Sequence, residues 1–248
     1  MNAVLKSASA VLGLVTVLSA TAAPITPTFT TFGQLAGVTF GGSGIPNSPA
    51  AVTTWTNATG QVLTMGLIAT PRFTGVVTNN GAGTYSSVAG VSPFGATINQ
   101  AASPTDPYAV WNFSSYIGGA AASGLEFKLF YDFDPTIGND INTHGSVAFS
   151  GATAVGARPN GSSSNLGFDS LATSGSAFGF TTVAPSGSFN PNAGGQYSFA
   201  LVAYNRGDAG SLTEVARSAI LVSVVPEPGT FALAGLALLG LFAARRRT

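Results

Sequence analysis

The sequence predicts an all-β fold, an antiparallel β-sandwich of jelly-roll character. Three observations predict it. Apolar and polar residues alternate repeatedly between positions 24 and 225. Clusters of Gly, Asn, Pro and Ser interrupt the alternation at short intervals. No helical period runs through the region. Short alternating runs bury one face each, and two packed sheets satisfy that requirement. The composition can supply the core, with 45% hydrophobic residues, 17 Phe, 6 Tyr and 2 Trp among 248.

About nine strands follow in order. Residues 51–56, 62–70, 73–78 and 108–116 are the first four. The clearest is "GLEFKLFYDFD", where Leu125, Phe127, Leu129, Tyr131 and Phe133 share one face and Glu126, Lys128, Phe130, Asp132 and Asp134 the other. Residues 146–150 and 177–182 come next. "GQYSFALVAYNRG" then places Tyr197, Phe199, Leu201 and Ala203 on one side, and 212–225 closes the series. Asn79-Asn80-Gly81 and Asn205-Arg206-Gly207-Asp208 supply tight turns. The stretches "GGSGIPNSPA" and "ARPNGSSSNLGFDSLATSGS" read as loops, the second a long and poorly ordered connection.

Charged residues make up only 7% of the chain, against about 25% in an average soluble protein. High charge and few aromatics would mark disorder, and neither applies here. Between residues 24 and 225 five basic residues face eight acidic ones, a net charge of −3. That balance excludes nucleic acid as a partner, because phosphate binding needs clustered Lys and Arg. The absence of cysteine excludes disulfides, thiol nucleophiles and thiolate metal sites. So low a surface charge also leaves sheet edges less protected, which suits self-association or embedding in a matrix.

Both ends carry transport features. Residues 1–23, "MNAVLKSASAVLGLVTVLSATAA", have a basic start at Lys6, an apolar stretch and small residues at Ala20 and Ala22, the pattern of a secretory signal peptide cut after Ala22 or Ala23. At the other end Pro226-Glu227-Pro228 stops regular structure. An apolar run, 231–244, then precedes Arg245, Arg246 and Arg247. As a helix it would be about 21 Å long, short of the roughly 30 Å hydrocarbon core, and the arginines would hold its end on the cytoplasmic side. The domain plan is therefore a signal peptide at 1–23, a β-sandwich domain at 24–225 and a sorting tail at 226–248 with its membrane helix at 231–244.

The segment "VPEPGTFALAGLALLGLFAARRR" resembles the PEP-CTERM sorting signal, also labelled an ice-binding protein C-terminal domain. The resemblance covers about the last 24 residues. It implies export from a Gram-negative bacterium through the Sec translocase and signal peptidase. Transient residence in the inner membrane follows, then recognition by an exosortase at Pro226, Glu227 and Pro228, and delivery to the cell surface or beyond. It brings no function for the central region.

Chemistry in that region is sparse. No G-x-S-x-G, H-E-x-x-H or P-loop is present. The single histidine, His144, reads as an ordinary loop residue. The segment "YDFDPTIGNDINTHG" gathers Asp132, Asp134, Asn139, Asp140 and Asn142, oxygen ligands of the kind Ca²⁺ takes, although Ile137 and Thr143 break the EF-hand pattern. The same residues are equally turn formers at a strand end. Trp55 and Trp111, with Tyr108 and Tyr116, are candidates for a sugar-stacking platform or for the core. Glu126, Glu214, Asp132 and Asp134 are the carboxyls available for acid–base work. "TPTFTTF" has the threonines of an ice-binding face in a single short copy.

The expectation is a non-enzymatic surface or matrix protein with a structural or adhesive role in exopolysaccharide or biofilm. A calcium-dependent carbohydrate-binding module and a polysaccharide hydrolase are the alternatives. No cofactor is required except the candidate Ca²⁺, and polysaccharide is the candidate ligand.

Overall fold

A computed structural model describes residues 23–226 apart from 42–44, 46–48, 96, 98, 102–106 and 158–160. The signal peptide, Glu227 and Pro228, the apolar run and the terminal arginines lie outside the described residues.

Strands β1 (Thr31–Gly33), β2 (Ala50–Thr56), β3 (Val62–Pro71), β4 (Thr78–Asn79), β5 (Thr84–Val88), β6 (Trp111–Gly118), β7 (Glu126–Tyr131) and β8 (Gly145–Ser150) form the first half. A helix α1 (Gly151–Ala157), β9 (Ser162–Ser164), a single helical turn α2 (Asp169–Ala172), β10 (Gly175–Ala177) and β11 (Phe180–Val183) follow. The long hairpin β12 (Gly195–Arg206) and β13 (Leu212–Val225) ends the domain. The strands make two sheets, β1-β2-β3-β6-β9 and β10-β11-β8-β7-β12-β13-β5-β4.

The sheets pack face to face through aromatic side chains. Phe113 stacks on Phe199 with ring centroids 4.5 Å apart, and Trp111 meets Tyr197 at 5.6 Å and Phe199 at 6.1 Å. Leu125, Phe127, Leu129, Tyr131 and Phe133 all point into this core, as their alternation predicts. At one side the layers are joined by hydrogen bonds rather than by packing alone. Thr53 donates to the carbonyl of Arg217 at 2.8 Å, Ser218 to that of Ala51 at 2.8 Å, and Tyr85 to that of Pro49 at 2.7 Å.

The outer faces are covered as well. Ser198, Ala200 and Val202 of β12 alternate with the core residues yet are 7%, 0% and 0% exposed. The cover is the chain's first described segment. Ile25 buries itself against Ala200, Val202 and Ala219. The carbonyl of Ala23 accepts from the Ile141 amide at 3.1 Å, and Thr28 and Ala219 exchange backbone hydrogen bonds of 3.1 and 2.8 Å. This strap then continues into β1. On the opposite sheet the turn containing Phe40 lies over Gly66, where a Cβ would sit 2.7 Å from Leu35 Cδ1 and 3.5 Å from the Phe40 ring. The threonine-rich stretch 26–32 is thus strap and edge strand, with Phe29 on Phe32 at 5.6 Å and Phe32 on Tyr85 at 6.0 Å.

The all-β sandwich is as expected, and the structure departs from the expected details at four points. Residues 73–78 do not form a strand. Phe73 takes a left-handed φ of 57°, the chain turns, and only Thr78–Asn79 pairs. The eight-stranded sheet is mixed, because β13 runs parallel to β5. A parallel pair needs a long crossover, and here residues 89–211 supply it. Helical structure is present at α1 and α2, in segments too short to show a period.

The serine-rich stretch after α1 is built structure. It carries β9, α2 and β10, and buries Asn165, Leu166 and Leu171. Asn165, 0% exposed, is its anchor. The side chain donates to the carbonyls of Ala109 (3.0 Å) and Trp111 (2.8 Å) and to Asn112 Oδ1 (2.8 Å). Its Oδ1 accepts from the amides of Ala109 (3.0 Å) and Gly167 (3.1 Å). Asn165→Ala would leave several of these groups buried without partners. It is expected to lower unfolding free energy by about 3 kcal/mol. Urea denaturation with an unchanged m-value is the check.

Candidate functional site

The candidate calcium loop leaves β7 at its C-terminal end. Asp132, 3% exposed, accepts the Asp134 amide on Oδ1 (2.8 Å) and Asn139 Nδ2 on Oδ2 (2.8 Å). Asp134 accepts the amide of Thr136 (2.9 Å) and its hydroxyl, and its own carbonyl accepts from Asn139 Nδ2 (2.9 Å). Asp140 accepts both the amide and the side-chain nitrogen of Asn142, each at 3.0 Å. The structure therefore brings Asp132, Asp134 and Asn139 together and leaves Asp140 with Asn142 as a second pair. Both are turn chemistry, with the carboxylate oxygens already accepting from the loop. Among the described residues no group of three or more His, Cys, Asp or Glu stands close enough to hold a metal ion.

His144 joins the two pairs, and the sequence alone did not show it. Its side chain is fully buried, not a loop ornament. Nδ1 lies 2.9 Å from the carbonyl of Asp140, Nε2 lies 2.6 Å from Ser198 Oγ, and Asp132 Oδ2 is 3.7 Å from Nε2. Since a carbonyl only accepts, Nδ1 carries a proton and donates to it. The three residue types are those of a hydrolytic triad, but the arrangement differs. There the carboxylate orients Nδ1 and the serine meets Nε2; here both stand at Nε2, and Ser198 is 7% exposed. The group pins the loop onto the outer face of β12.

The aromatic candidates separate. Trp55 pairs with Leu63 and Trp111 with Pro71, at opposite ends of β3 and about 26 Å apart at 3.3 Å per residue. Trp111 is 1% exposed in the core, and Trp55 is half-buried against it. Tyr108 packs edge-on to Phe168 at 5.4 Å. Both rings, with Phe73, surround the buried guanidinium of Arg72, whose Cζ lies 4.5 Å from Tyr108, 5.0 Å from Phe73 and 5.5 Å from Phe168. Burial lowers the pKa of Arg72, and the rings offset part of that penalty.

The remaining carboxyls stand on the exposed face of the large sheet. Glu126 and Glu214 flank Tyr204 in register on β7 and β13, two strand spacings or about 9.6 Å apart. Each has its own arginine. Glu126 binds Arg206 at 3.1 Å, and Glu214 binds Arg217 bidentately at 2.9 and 2.7 Å, which raises the Arg217 pKa. They occupy a flat face.

A further feature is a cleft of about 430 Å³ between the sheets, where β8, β11 and β10 oppose β6 and β9. Ile117, Leu129, Phe149 and Leu171 line it with eight Ser and Thr residues, and no charged residue contributes.

The sorting tail begins inside the fold. Val224, 3% exposed, pairs with Gly195 on one side and Ser87 on the other. The amide of Ala89 donates to the carbonyl of Val225 at 2.7 Å, and Pro226 approaches Gly194. No helix among the described residues is long and apolar enough to cross a membrane.

The Asp134 loop carries a pH signature. Hydrogen bonds from the Thr136 side chain first, then from its amide, hold the Asp134 carboxyl below its usual range. A depressed folded-state value stabilises fully above the unfolded value of about 3.9 and is lost as pH falls through the lower folded one. Asp134→Asn is expected to flatten stability against pH below about 4, read from acid unfolding followed by circular dichroism, while leaving it unchanged in slope near neutrality.

A family model described as the PEP-CTERM protein-sorting motif matches residues 224–247. Compared with curated proteins and with solved structures, the chain shows no match. The first two residues of the matched segment are the last two of β13, so that the chain carries, without a spacer, a PEP-CTERM sorting motif that marks it for exosortase-dependent export to the cell surface.

Proposed function

We propose that the sandwich is a non-enzymatic surface or matrix domain, structural or adhesive in an exopolysaccharide or biofilm setting. The observation that carries this reading is the fusion of the sorting motif to the last strand of the sandwich. Whatever the tail delivers is this domain, with nothing interposed. Delivery would run through the Sec translocase and signal peptidase of a Gram-negative bacterium, across its inner membrane, to an exosortase acting at Pro226, Glu227 and Pro228.

Several features support a passive role. The exposed carboxylates Glu126 and Glu214 are committed to arginines. Both Asp132 oxygens and Asp134 Oδ1 are committed to their loop. Charge is scarce over the rest of the chain, which favours adhesion by hydrogen bonding and apolar contact and lessens its salt dependence.

Replacing Pro226, Glu227 and Pro228 together by alanine is expected to hold the precursor in the membrane fraction, followed by immunoblot of fractionated cells. Unchanged release would count against sorting at this motif. For the domain itself, retention on the producer's polysaccharide should survive EDTA, and the thermal midpoint should not move with Ca²⁺. A calcium site filled at 100 times its Kd would instead add about 2.7 kcal/mol. Retention lost in EDTA would turn the reading to a calcium-dependent carbohydrate module, and turnover abolished by Asp134→Asn to a hydrolase.

A further inference from the structure

The hairpin of β10 and β11 turns through two residues, Phe178 and Gly179, with φ of 51° and 80°. Both central residues of such a turn need positive φ, and Asn, Asp and Gly ordinarily fill it. A phenylalanine there is strained, because an L-residue with a bulky side chain is disfavoured in the left-handed region. It is also 96% exposed, the most exposed of the large apolar side chains among the described residues. At that exposure, packing among the described residues repays neither cost. Strain of this kind, where packing does not explain it, points to a functional contact.

Phe178 stands at the mouth of the cleft between the sheets. Ser174, Ser176 and Ala177, also lining the cleft, are exposed, so the space opens to solvent along β10. Its depth is apolar, closed by Ile117, Leu129, Phe149 and Leu171. Its hydrogen-bonding capacity comes from hydroxyls such as Ser162, Ser164 and Thr182, together with backbone at Gly161 and Gly175. At about 430 Å³ it falls in the range of small-molecule sites.

The lining selects its ligand by charge. An ionic group entering the cleft would lose hydration with no counter-charge to replace it. Hydroxyls can satisfy uncharged donors and acceptors alike. We propose that this cleft, with the Phe178 ring as its lip, binds a neutral amphiphile: an apolar chain or ring in the depth, carrying uncharged hydroxyl-type groups toward the rim. The site is independent of whether the domain is adhesive, and of how it is sorted.

The test uses the full chain and n-octyl β-D-glucoside below its micelle concentration, with glucose and octyl sulfate as companions, by titration calorimetry. Octyl glucoside should bind saturably, glucose should not, and octyl sulfate should bind at least about tenfold more weakly. Phe178→Ala should weaken octyl glucoside about tenfold, the worth of burying part of a phenyl ring, and leave the thermal midpoint unchanged or raised. Ala177→Trp, at an exposed position of β10, should block the cleft and abolish the remaining saturable binding without lowering the midpoint. Absence of saturable binding overturns the proposal. Binding that neither variant changes places the probe elsewhere, the apolar tail included, and overturns it too. Equal affinity for octyl sulfate, or for glucose, removes the argument from the lining.

Discussion

The structure depends on burying both faces of β12. Tyr197, Phe199, Leu201 and Ala203 fill the core between the sheets, but Ser198, Ala200 and Val202 are as deeply enclosed on the other side. A sheet can leave its outer face to water; between Ser198 and Val202 of β12 this one does not. Strap and loop together provide the cover, Ile25 over Ala200 and Val202, and His144 over Ser198. The arrangement makes the first described residues part of the fold. The Ala23 carbonyl and the Thr28 backbone are hydrogen-bonded to distant parts of the chain, to Ile141 and Ala219. The two candidate cleavage positions differ here, since a cut after Ala22 retains the Ala23 carbonyl and a cut after Ala23 removes it.

The other end imposes a matching constraint. β13 pairs with β12 along most of its length and with β5 over its last five residues, so residues 221–224 are held on both edges. The matched sorting motif therefore begins on a doubly paired strand. Proline at 226 cannot extend the ladder, lacking an amide hydrogen, and it marks the point where the sheet must end. An enzyme that engages Pro226, Glu227 and Pro228 has to approach this end of the sandwich closely, near Gly194 and Ala89. The strap and the start of the sorting motif are thus tied to the same large sheet.

Local pattern made much of this legible. The alternation in β7 and the inner face of β12 follow from period two, and the turns at Asn80-Gly81 and Gly207 from their residues. What escaped was non-local. The strap reads as a Thr- and Pro-rich loop because its partners lie more than a hundred residues away, and nothing at positions 23–28 signals them. Asn165 is one buried amide inside a serine-rich run, and its worth comes from Ala109 and Trp111, 56 and 54 positions back. His144 and Ser198 are 54 apart. The tryptophans could be core or platform by sequence, and strand register decided between them by putting Trp111 inside. The terminal motif was readable in full, because a sorting signal is recognised as linear sequence and does not wait for a fold.

A chain so poor in charge makes each charge informative. On the outer face of the large sheet the two glutamates are paired, Glu126 with Arg206 and Glu214 with Arg217, and Lys128 lies over the Tyr204 ring. Arg72 is buried among three rings. Asp132 and Asp134 close a turn. Exposed pairs of this kind contribute little to stability, but they keep that face hydrated and discourage stacking against another sheet. The side of the molecule formed by β9, β10 and β11 has no such protection. There the short edge strands, the hydroxyl-lined cleft and the outward Phe178 ring leave a surface that interacts through apolar contact and neutral hydrogen bonds. The two sides therefore differ in what they can meet: one repels close partners by its hydration, and the other is open to uncharged ones.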